Sequence, residues 1–362
     1  MNKQNKKTDS IVSIEKSTYE NIDLYSLLAP LGNLNNYIKK GQRVLLKVNI
    51  LNASVPSKAV TTNPLLVKKI AEAVQKIGGV PFIGDSPSGQ FTKRRLKRVY
   101  KKAGLLELSN ELGIELNYDT STKKVTIPEG KRLKKVPICN FVLQADKIIA
   151  IPKIKTHSYM IMTLASKIMY GAVPGLTKAK YHSIHIKRTS FSDILLDVLS
   201  IVKPDLFIMD GIIGMEGQGP ASGTPVDLGL ILAAEDPIAM DIAVCKMLNI
   251  KPVGIPVLKR AKIRGLWPKE ILYPKLTPDD VKVDNFKLPS TADYLLTGEK
   301  TPVQSPSITQ KCISCGLCKE ICPQNAITIG NKGAKINYSK CIKCYCCHEI
   351  CPEDAIELKV VS

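Results

Sequence analysis

The feature of the sequence that most constrains the fold is a duplicated run of cysteines near the C-terminus. The first copy reads C-I-S-C-G-L-C-K-E-I-C-P from Cys312, and the second reads C-I-K-C-Y-C-C-H-E-I-C-P from Cys341. Both have the spacing C-x2-C-x2-C-x3-C-P, and the second begins 29 residues after the first. Isoleucine, proline and alanine residues between and after the cysteines recur in the same register. The segment is therefore an internal repeat.

This spacing is typical of cysteines that bind [4Fe–4S] clusters, and its duplication predicts a ferredoxin domain with two [4Fe–4S] clusters. Three cysteines spaced by x2 converge on one cluster, whereas the fourth follows a helical start and reaches the other cluster. The expected ligands are Cys312, Cys315, Cys318 and Cys351 for the first cluster, and Cys341, Cys344, Cys347 and Cys322 for the second. Zinc and disulfides are the alternatives, but zinc sites usually present separate C-x2-C pairs.

The three remaining cysteines are assigned no role. Cys346 occupies the position of Leu317 in the other repeat, so we expect it to pack as a small hydrophobic residue. Cys139 and Cys245 lie in apolar stretches, where free cysteines are most often inert.

The composition allows a large α/β body in front of the cysteine repeat. The chain has 362 residues, with 52 basic and 32 acidic side chains and a net charge of +20. A basic body suits an anionic substrate or an acidic electron partner, although a general richness in lysine is the simpler explanation. We expect neither a transmembrane helix nor a secretory signal, and sparse cysteines outside the repeat favour the cytoplasm.

The body begins with a strand–helix–strand pattern. A strand ends at Asn49, a helix starts at Asn63 and Pro64, and a second strand leads to Asp85. This order predicts a mostly parallel sheet with flanking helices, in which Asn49 and Asp85 follow the carboxyl ends of strands. We divide the chain into an α/β body at residues 1–300, a linker at 301–310 and a small α+β ferredoxin domain at 311–362.

We also predict the structure of three later segments. Residues 92–112 are expected to form one basic helix, and a solvated face is favoured over nucleic-acid binding because stacking aromatics are absent. A further strand is expected to end at Asp210, followed by a glycine-rich loop to Gly223 that holds Glu216. Residues 268–310 are expected to form a loose wrap and linker.

Three of the four histidines fall between residues 157 and 185, together with several lysines. Lysines at strand ends and in loops can bind carboxylate or phosphate groups, and a nearby histidine can transfer a proton. The alternatives are a metal site at His182-x-x-His185 and an ordinary surface. The crowding of lysines argues against a bound cation.

The body resembles the family known as domain of unknown function 362, which often occurs with a ferredoxin module. The matching stretches are V-L-L-K-V-N (44–49), T-T-N-P (61–64), G-D-S-P-S-G (84–89), P-K-I-K-T-H (152–157), K-I-M-Y-G-A-V-P-G (167–175), D-G-I-I-G-M-E-G-Q-G-P (210–220) and D-P-I-A-M-D (236–241). Val48 and Ile168 stand where the family pattern leads us to expect proline and asparagine. The resemblance implies which positions converge on a site, but no reaction.

These observations together predict an iron–sulfur reductase. An anionic substrate or cofactor would bind in the body, and the ferredoxin domain would supply electrons received from an external ferredoxin or flavodoxin, since no flavin or nicotinamide motif is present. The expected catalytic residues are Lys155, His157 and His182, and the expected substrate-binding residues are Lys47, Asn49, Asp85, Lys153, Lys167, Asp210 and Glu216. The alternative is a protein without a redox reaction, which binds a ligand or takes part in the maturation of a cofactor or metal. Its clusters would then have a structural or sensing role.

Overall fold

The computed structural model describes residues 8–292 and 303–360. The body is built on a ten-stranded, mostly parallel sheet with helices on both faces, so the predicted α/β class is confirmed. Its strands are β1 (Ser10–Lys16), β2 (Arg43–Val48), β3 (Val80–Gly84), β4 (Glu115–Leu116), β7 (Lys147–Ile151), β8 (Lys153–His157), β9 (Ile161–Met162), β10 (Leu206–Glu216), β11 (Thr224–Ala234) and β12 (Ile271–Leu272). Strands β5 (Thr122–Thr126) and β6 (Lys135–Cys139) form a separate antiparallel hairpin.

The strand order is β12-β1-β11-β10-β7-β2-β3-β4, and β8 pairs with β10 and β9. The pairs from β10 to β4 are parallel, whereas β11 pairs antiparallel with both β1 and β10. Side chains of β2 alternate between the faces, with Leu45 packed in one apolar core and Val44 and Leu46 in the other. Lys47 follows this alternation on the Leu45 face.

The helices of the body are α1 (Leu24–Leu28), α2 (Pro64–Lys76), α3 (Lys93–Lys102), α4 (Leu105–Leu112), α5 (Asn140–Leu143), α6 (Gly175–Ile184), α7 (Arg188–Ile201), α8 (Pro237–Met247) and α9 (Pro256–Ile263). Helix α2 begins as predicted, since the Asn63 side chain accepts a hydrogen bond from Leu65 N and Pro64 is the first helical residue. The single helix expected over 92–112 is wrong. Gly104, with φ of 73°, separates α3 from α4.

The expected loop after Asp210 is also wrong. Strand β10 continues to Glu216 and pairs with β11 over its whole length, with one irregularity between Gly211 and Ile213. Only residues 217–223 connect the two strands. This segment is therefore a buried strand, and its glycines allow close approach of neighbouring side chains, as at Gly211 beside Ile154.

The cysteine-rich module contains β13 (Gln304–Ile308), α10 (Leu317–Ile321), β14 (Ile327–Gly330), β15 (Gly333–Ile336), α11 (Cys346–Ile350) and β16 (Ile356–Val360). Strands β13 and β16 pair antiparallel, as do β14 and β15. Residues 304–308 of the predicted linker are therefore a strand of the module, and residues 301 and 302 lie outside the described residues. Within residues 8–292 and 303–360, the helices are too short or too polar to cross a bilayer.

Candidate functional site

A cleft lies beyond the carboxyl ends of β2 and β3. This is the edge at which parallel α/β sheets bind ligands. Six of the predicted site residues line it: Lys47, Asn49, Asp85, Lys155, Lys167 and His182. The other four, His157, Lys153, Asp210 and Glu216, lie outside its lining.

A buried ion pair in the cleft joins Lys47 and Asp85, whose Nζ and Oδ1 atoms are 2.7 Å apart. Asp85 also accepts hydrogen bonds from Ser86 N at 2.8 Å and Ile50 N at 2.6 Å. The pair packs against Gly171, where an added Cβ would lie 2.3 Å from Asp85 Oδ1. Glycine is required there by close approach, and the carboxylate is held in one position.

Three more lysines line the cleft. Lys155 of β8 donates to Val60 O at 2.6 Å, and Lys178 of α6 donates to Val173 O at 3.1 Å. Burial lowers the pKa of Lys155 and Lys167, and it lowers the pKa of Lys178 to about 8. Lys178 was not among the predicted site residues. It lies in a lysine-rich stretch, where nothing in the sequence distinguishes a buried lysine from an exposed one.

His182 lines the cleft as a neutral imidazole. Its ring centroid is 4.0 Å from that of Phe191, and burial with the nearby charge of Lys167 lowers its pKa to about 3. His185 is half-buried just beyond the end of α6, and it does not line the cleft. The alternative of a metal site at His182-x-x-His185 is therefore not supported, because the helix ends before it can place both rings on one face.

Lys153 and Asp210 were predicted to bind substrate, but they form a buried structural pair away from the cleft. Their Nζ and Oδ2 atoms are 2.8 Å apart, and Asp210 also accepts from the Tyr19 hydroxyl and from Asn63 N. The prediction failed because Asp210 lies within β10 and not at its end. Glu216 likewise accepts a hydrogen bond from a backbone N–H and lies outside the cleft.

His157 is buried behind the cleft. Its Nδ1 accepts from Tyr159 N at 3.2 Å and Met160 N at 3.3 Å, which assigns the proton of the neutral ring to Nε2. Nε2 lies 3.4 Å from Glu349 Oε1. Burial lowers the pKa of His157, so the ring is neutral near pH 7. Lys155 and His157 are both fully buried, so neither side chain is on the protein surface.

Glu349 enters the cleft from α11 of the cysteine-rich module. It is 7% exposed, and burial raises its pKa to about 7 while Lys167 and Lys155 oppose the increase. Its counterpart in the first repeat, Glu320, instead accepts from Gln90 N at 3.0 Å. Both glutamates occur in the same C-x-E-I-C-P context, so the sequence contains no signal that separates them.

Further contacts fix the module over the cleft. Asp354 pairs with Lys58 at 3.2 Å, and His348 Nε2 lies 3.2 Å from Gln218 O. An apolar cluster joins Ala179 of α6 to three buried residues of the module, Ile321, Cys346 and Ile350. Cys346 thus packs as a small hydrophobic residue, as expected. The module forms one wall of the cleft.

The repeated cysteines line two cavities. The first cavity contains Cys312, Cys315, Cys318 and Cys351, and the second contains Cys322, Cys341, Cys344 and Cys347. Backbone N–H groups donate to three of the sulfurs, at 3.3 Å for Cys322, 3.4 Å for Cys312 and 3.2 Å for Cys351. Cys346 lies in the wall of the second cavity and in the wall of the cleft.

Comparison with known sequences identifies two families in the chain. The family described as "Domain of unknown function (DUF362)" matches residues 44–246, and the family described as "4Fe-4S dicluster domain" matches residues 311–355. The thylakoid-associated protein sll1697 of Synechocystis sp. is 35% identical over 269 residues, which cover 74% of this chain and 82% of that protein.

Two solved structures are more distantly similar. The lactate racemase apoprotein from Thermoanaerobacterium thermosaccharolyticum is 13% identical with a TM-score of 0.38, over 66% of this chain and 57% of that one. A Thermotoga maritima protein is 11% identical with a TM-score of 0.36, over 60% and 56%. This chain thus spans little more than half of each. From the sequence match over more than half of its length, the chain belongs to the DUF362 family, with a C-terminal 4Fe-4S domain.

Proposed function

We propose that this protein is an iron–sulfur reductase. The cysteine-rich module holds two [4Fe–4S] clusters and passes electrons to a small anionic substrate or cofactor in the lysine-lined cleft. The observation that carries the proposal is the position of Cys346, which forms part of the second cysteine cavity and part of the cleft. An electron carrier in that cavity would share a wall with the bound substrate.

The two cysteine cavities fit the proposed clusters. The first gathers four thiol groups, and the second gathers its four predicted ligands together with Cys346. Three of the eight predicted ligand sulfurs accept backbone hydrogen bonds of the kind that stabilise a negatively charged cluster. A [4Fe–4S] cluster supplies one-electron transfer when bound. The chain contributes the ligands, the hydrogen bonds and the short connection to the cleft.

The cleft fits an anionic ligand. Four lysines and two carboxylates line it, so cationic groups are in excess. Among the described residues, the buried Oδ1 of Asn49 and Oγ1 of Thr163 have no hydrogen-bond partner, and both residues line the cleft. Buried polar atoms usually have a hydrogen-bond partner, so a ligand with hydrogen-bond donors would supply the partners that these two atoms lack.

We assign the proton required by the reduction to Lys178. A proton donor is most effective when its pKa is near the working pH, and burial brings the pKa of Lys178 to about 8. His157 and His182, the donors expected from sequence, are held neutral by burial and are not assigned this proton. Lys155 and Lys167 would neutralise the anion. The electrons come from an external ferredoxin or flavodoxin.

The proposal is tested in two steps on anaerobically prepared protein. A thermal-shift screen of phosphate- and carboxylate-bearing metabolites identifies ligands of the folded state, since such ligands raise the melting temperature. Protein reduced with dithionite and freed of excess reductant is then mixed with each ligand, and recovery of the visible cluster absorbance is followed. Ligand-dependent reoxidation is expected, and Lys167→Met should weaken binding. A ligand that binds without any reoxidation would favour the non-redox maturation protein and contradict the proposal.

A further inference from the structure

Helix α3 presents a strip of positive charge to solvent. Its sequence is KRRLKRVYKK, and it contains no acidic residue. Leu96, Val99 and Tyr100 face the core. Every exposed side chain of the helix is a lysine or arginine: Lys93, Arg94, Lys97, Arg98, Lys101 and Lys102. Ten helical residues extend this basic strip over about 15 Å.

The basic strip is not neutralised within the protein. In the part of the chain that the structure describes, none of its six residues forms an ion pair. Six like charges on one face repel one another and add nothing to the stability of the helix. A surface of this kind attracts anionic partners and increases their rate of association.

The basic strip begins beside the cysteine-rich module. Gln90, two residues before the N-cap of α3, donates its backbone N–H to Glu320 of α10 at 3.0 Å. The charge of Glu320 also acts on Arg95 in the first turn of α3. Helix α10 carries Cys318 of the first cysteine cavity. The strip and the first cavity therefore belong to neighbouring parts of one surface.

The first cavity has the more exposed cysteine wall of the two. Cys315 in its wall is exposed, and the adjacent Ile313 is 62% exposed. Lys311 and Lys319 are exposed on either side, and Glu353 is the exposed acidic residue of the cavity wall. An exposed apolar residue beside a redox site and surrounded by charge is suited to brief contact with another protein.

We propose that the basic strip and the Cys315 end of the module form the docking surface for a small acidic electron-carrier protein. This inference rests on the proposed function and adds the place where electrons arrive. One electron passes from the reduced carrier to the oxidised cluster of the first cavity, no bond is made or broken, and the electron then moves to the second cavity beside the cleft. An acidic protein is favoured over nucleic acid because the exposed face of α3 has no aromatic side chain on which bases stack.

The test uses the cluster-loaded full chain and a reduced, acidic plant-type [2Fe–2S] ferredoxin as the probe. The variant Lys97→Glu/Arg98→Glu/Lys101→Glu brings the net charge of the six-residue strip to zero, and Lys123→Glu/Lys124→Glu/Lys135→Glu makes the same charge change on the exposed hairpin of β5 and β6. Electron transfer is followed by rapid-freeze EPR at several ionic strengths. The second-order rate constant should fall about 10- to 100-fold in the strip variant, lose its salt dependence, and change little in the hairpin variant.

Dithionite, which needs no docking surface, separates this inference from the proposed function. If dithionite reduces the clusters of all three proteins but the ferredoxin reacts equally fast with each, or with none, the docking surface is wrong while the proposed function stands. Loss of the clusters or of substrate-linked reoxidation in the wild type would instead count against the proposed function. A fluorescent DNA 20-mer that binds the wild type and not the strip variant, with unchanged electron transfer, would also overturn the docking surface.

Discussion

Nε2 of His157 lies 3.4 Å from Oε1 of Glu349, although one residue belongs to β8 of the body and the other to α11 of the cysteine-rich module. Both side chains are buried, and Lys155 and Lys167 act on the charge of the glutamate. The cleft therefore becomes complete only when the two parts of the chain meet. Its charge balance depends on one carboxylate that the module supplies.

Glu349→Gln should increase the affinity of the cleft for anions. At pH 8 the carboxylate is mostly ionised, since its pKa is about 7, and it competes with a bound anion for Lys155 and Lys167. Removing its charge should tighten binding of the ligand found by thermal shift by about 10-fold, or about 1.4 kcal/mol. Isothermal titration calorimetry measures the effect. Glu320→Gln, the same change in the other repeat and outside the cleft, is the control, and equal effects of both substitutions would contradict the prediction.

Anion binding should weaken as the pH rises through about 8. Lys178 is protonated below its pKa of about 8 and loses its charge above it, whereas an ordinary lysine keeps its charge to about 10. The measurement is best made in the Glu349→Gln protein, so that the carboxylate does not titrate in the same range. Lys178→Arg retains the charge and should reduce the decline, and the part that remains belongs to Lys155 and Lys167, whose pKa values burial also lowers. An unchanged pH profile in Lys178→Arg would show that another group titrates.

Cys322→Ser should remove one cluster and spare the other. Cys322 lies with Cys341, Cys344 and Cys347 around the second cavity, although it is close to Cys318 in sequence. Iron and acid-labile sulfide should fall from about eight to about four per chain. Cys346→Ser is the matched control and should retain about eight. Loss of the cluster at Cys312, Cys315 and Cys318 in the Cys322 variant would show that the ligands are wrongly paired.

Asp210→Asn should destabilise the fold without weakening anion binding. The substitution leaves Lys153 buried without its counter-charge, which should cost about 3 kcal/mol in the free energy of unfolding. Urea denaturation measures this loss. Asp227→Asn, on the exposed face of β11, should change stability by less than about 0.5 kcal/mol. If the Asp210→Asn protein is as stable as the wild type but no longer binds the anion, Asp210 is a binding residue and this prediction is wrong.

A chain ending at Thr301 should fold without iron. The body has two extensive apolar cores, to which the module contributes little beyond Tyr345. A single cooperative thermal transition is expected, because the proposed body has its own sheet and helices. A molten or insoluble product would show that the module is part of the body's core.

The sequence predicted those parts of the site that depend on local order along the chain. Lys47 and Asp85 were placed correctly because a strand, its end and the following polar residue are consecutive. Asp210 was misplaced because glycines that allow close packing inside β10 look the same as glycines of a loop. Glu349 was not predicted, since its role depends on how a distant module docks. The buried environment of His157 also depends on that docking.

The module wall of the cleft has a consequence for biosynthesis. Translation releases the lysine-bearing body first, and Glu349 follows near the end of the chain. The cleft of a newly made body is therefore open, with its excess of positive charge uncompensated on one side. Closure requires the cysteine-rich segment to fold against the body, so the cleft is completed only after the body has been synthesised.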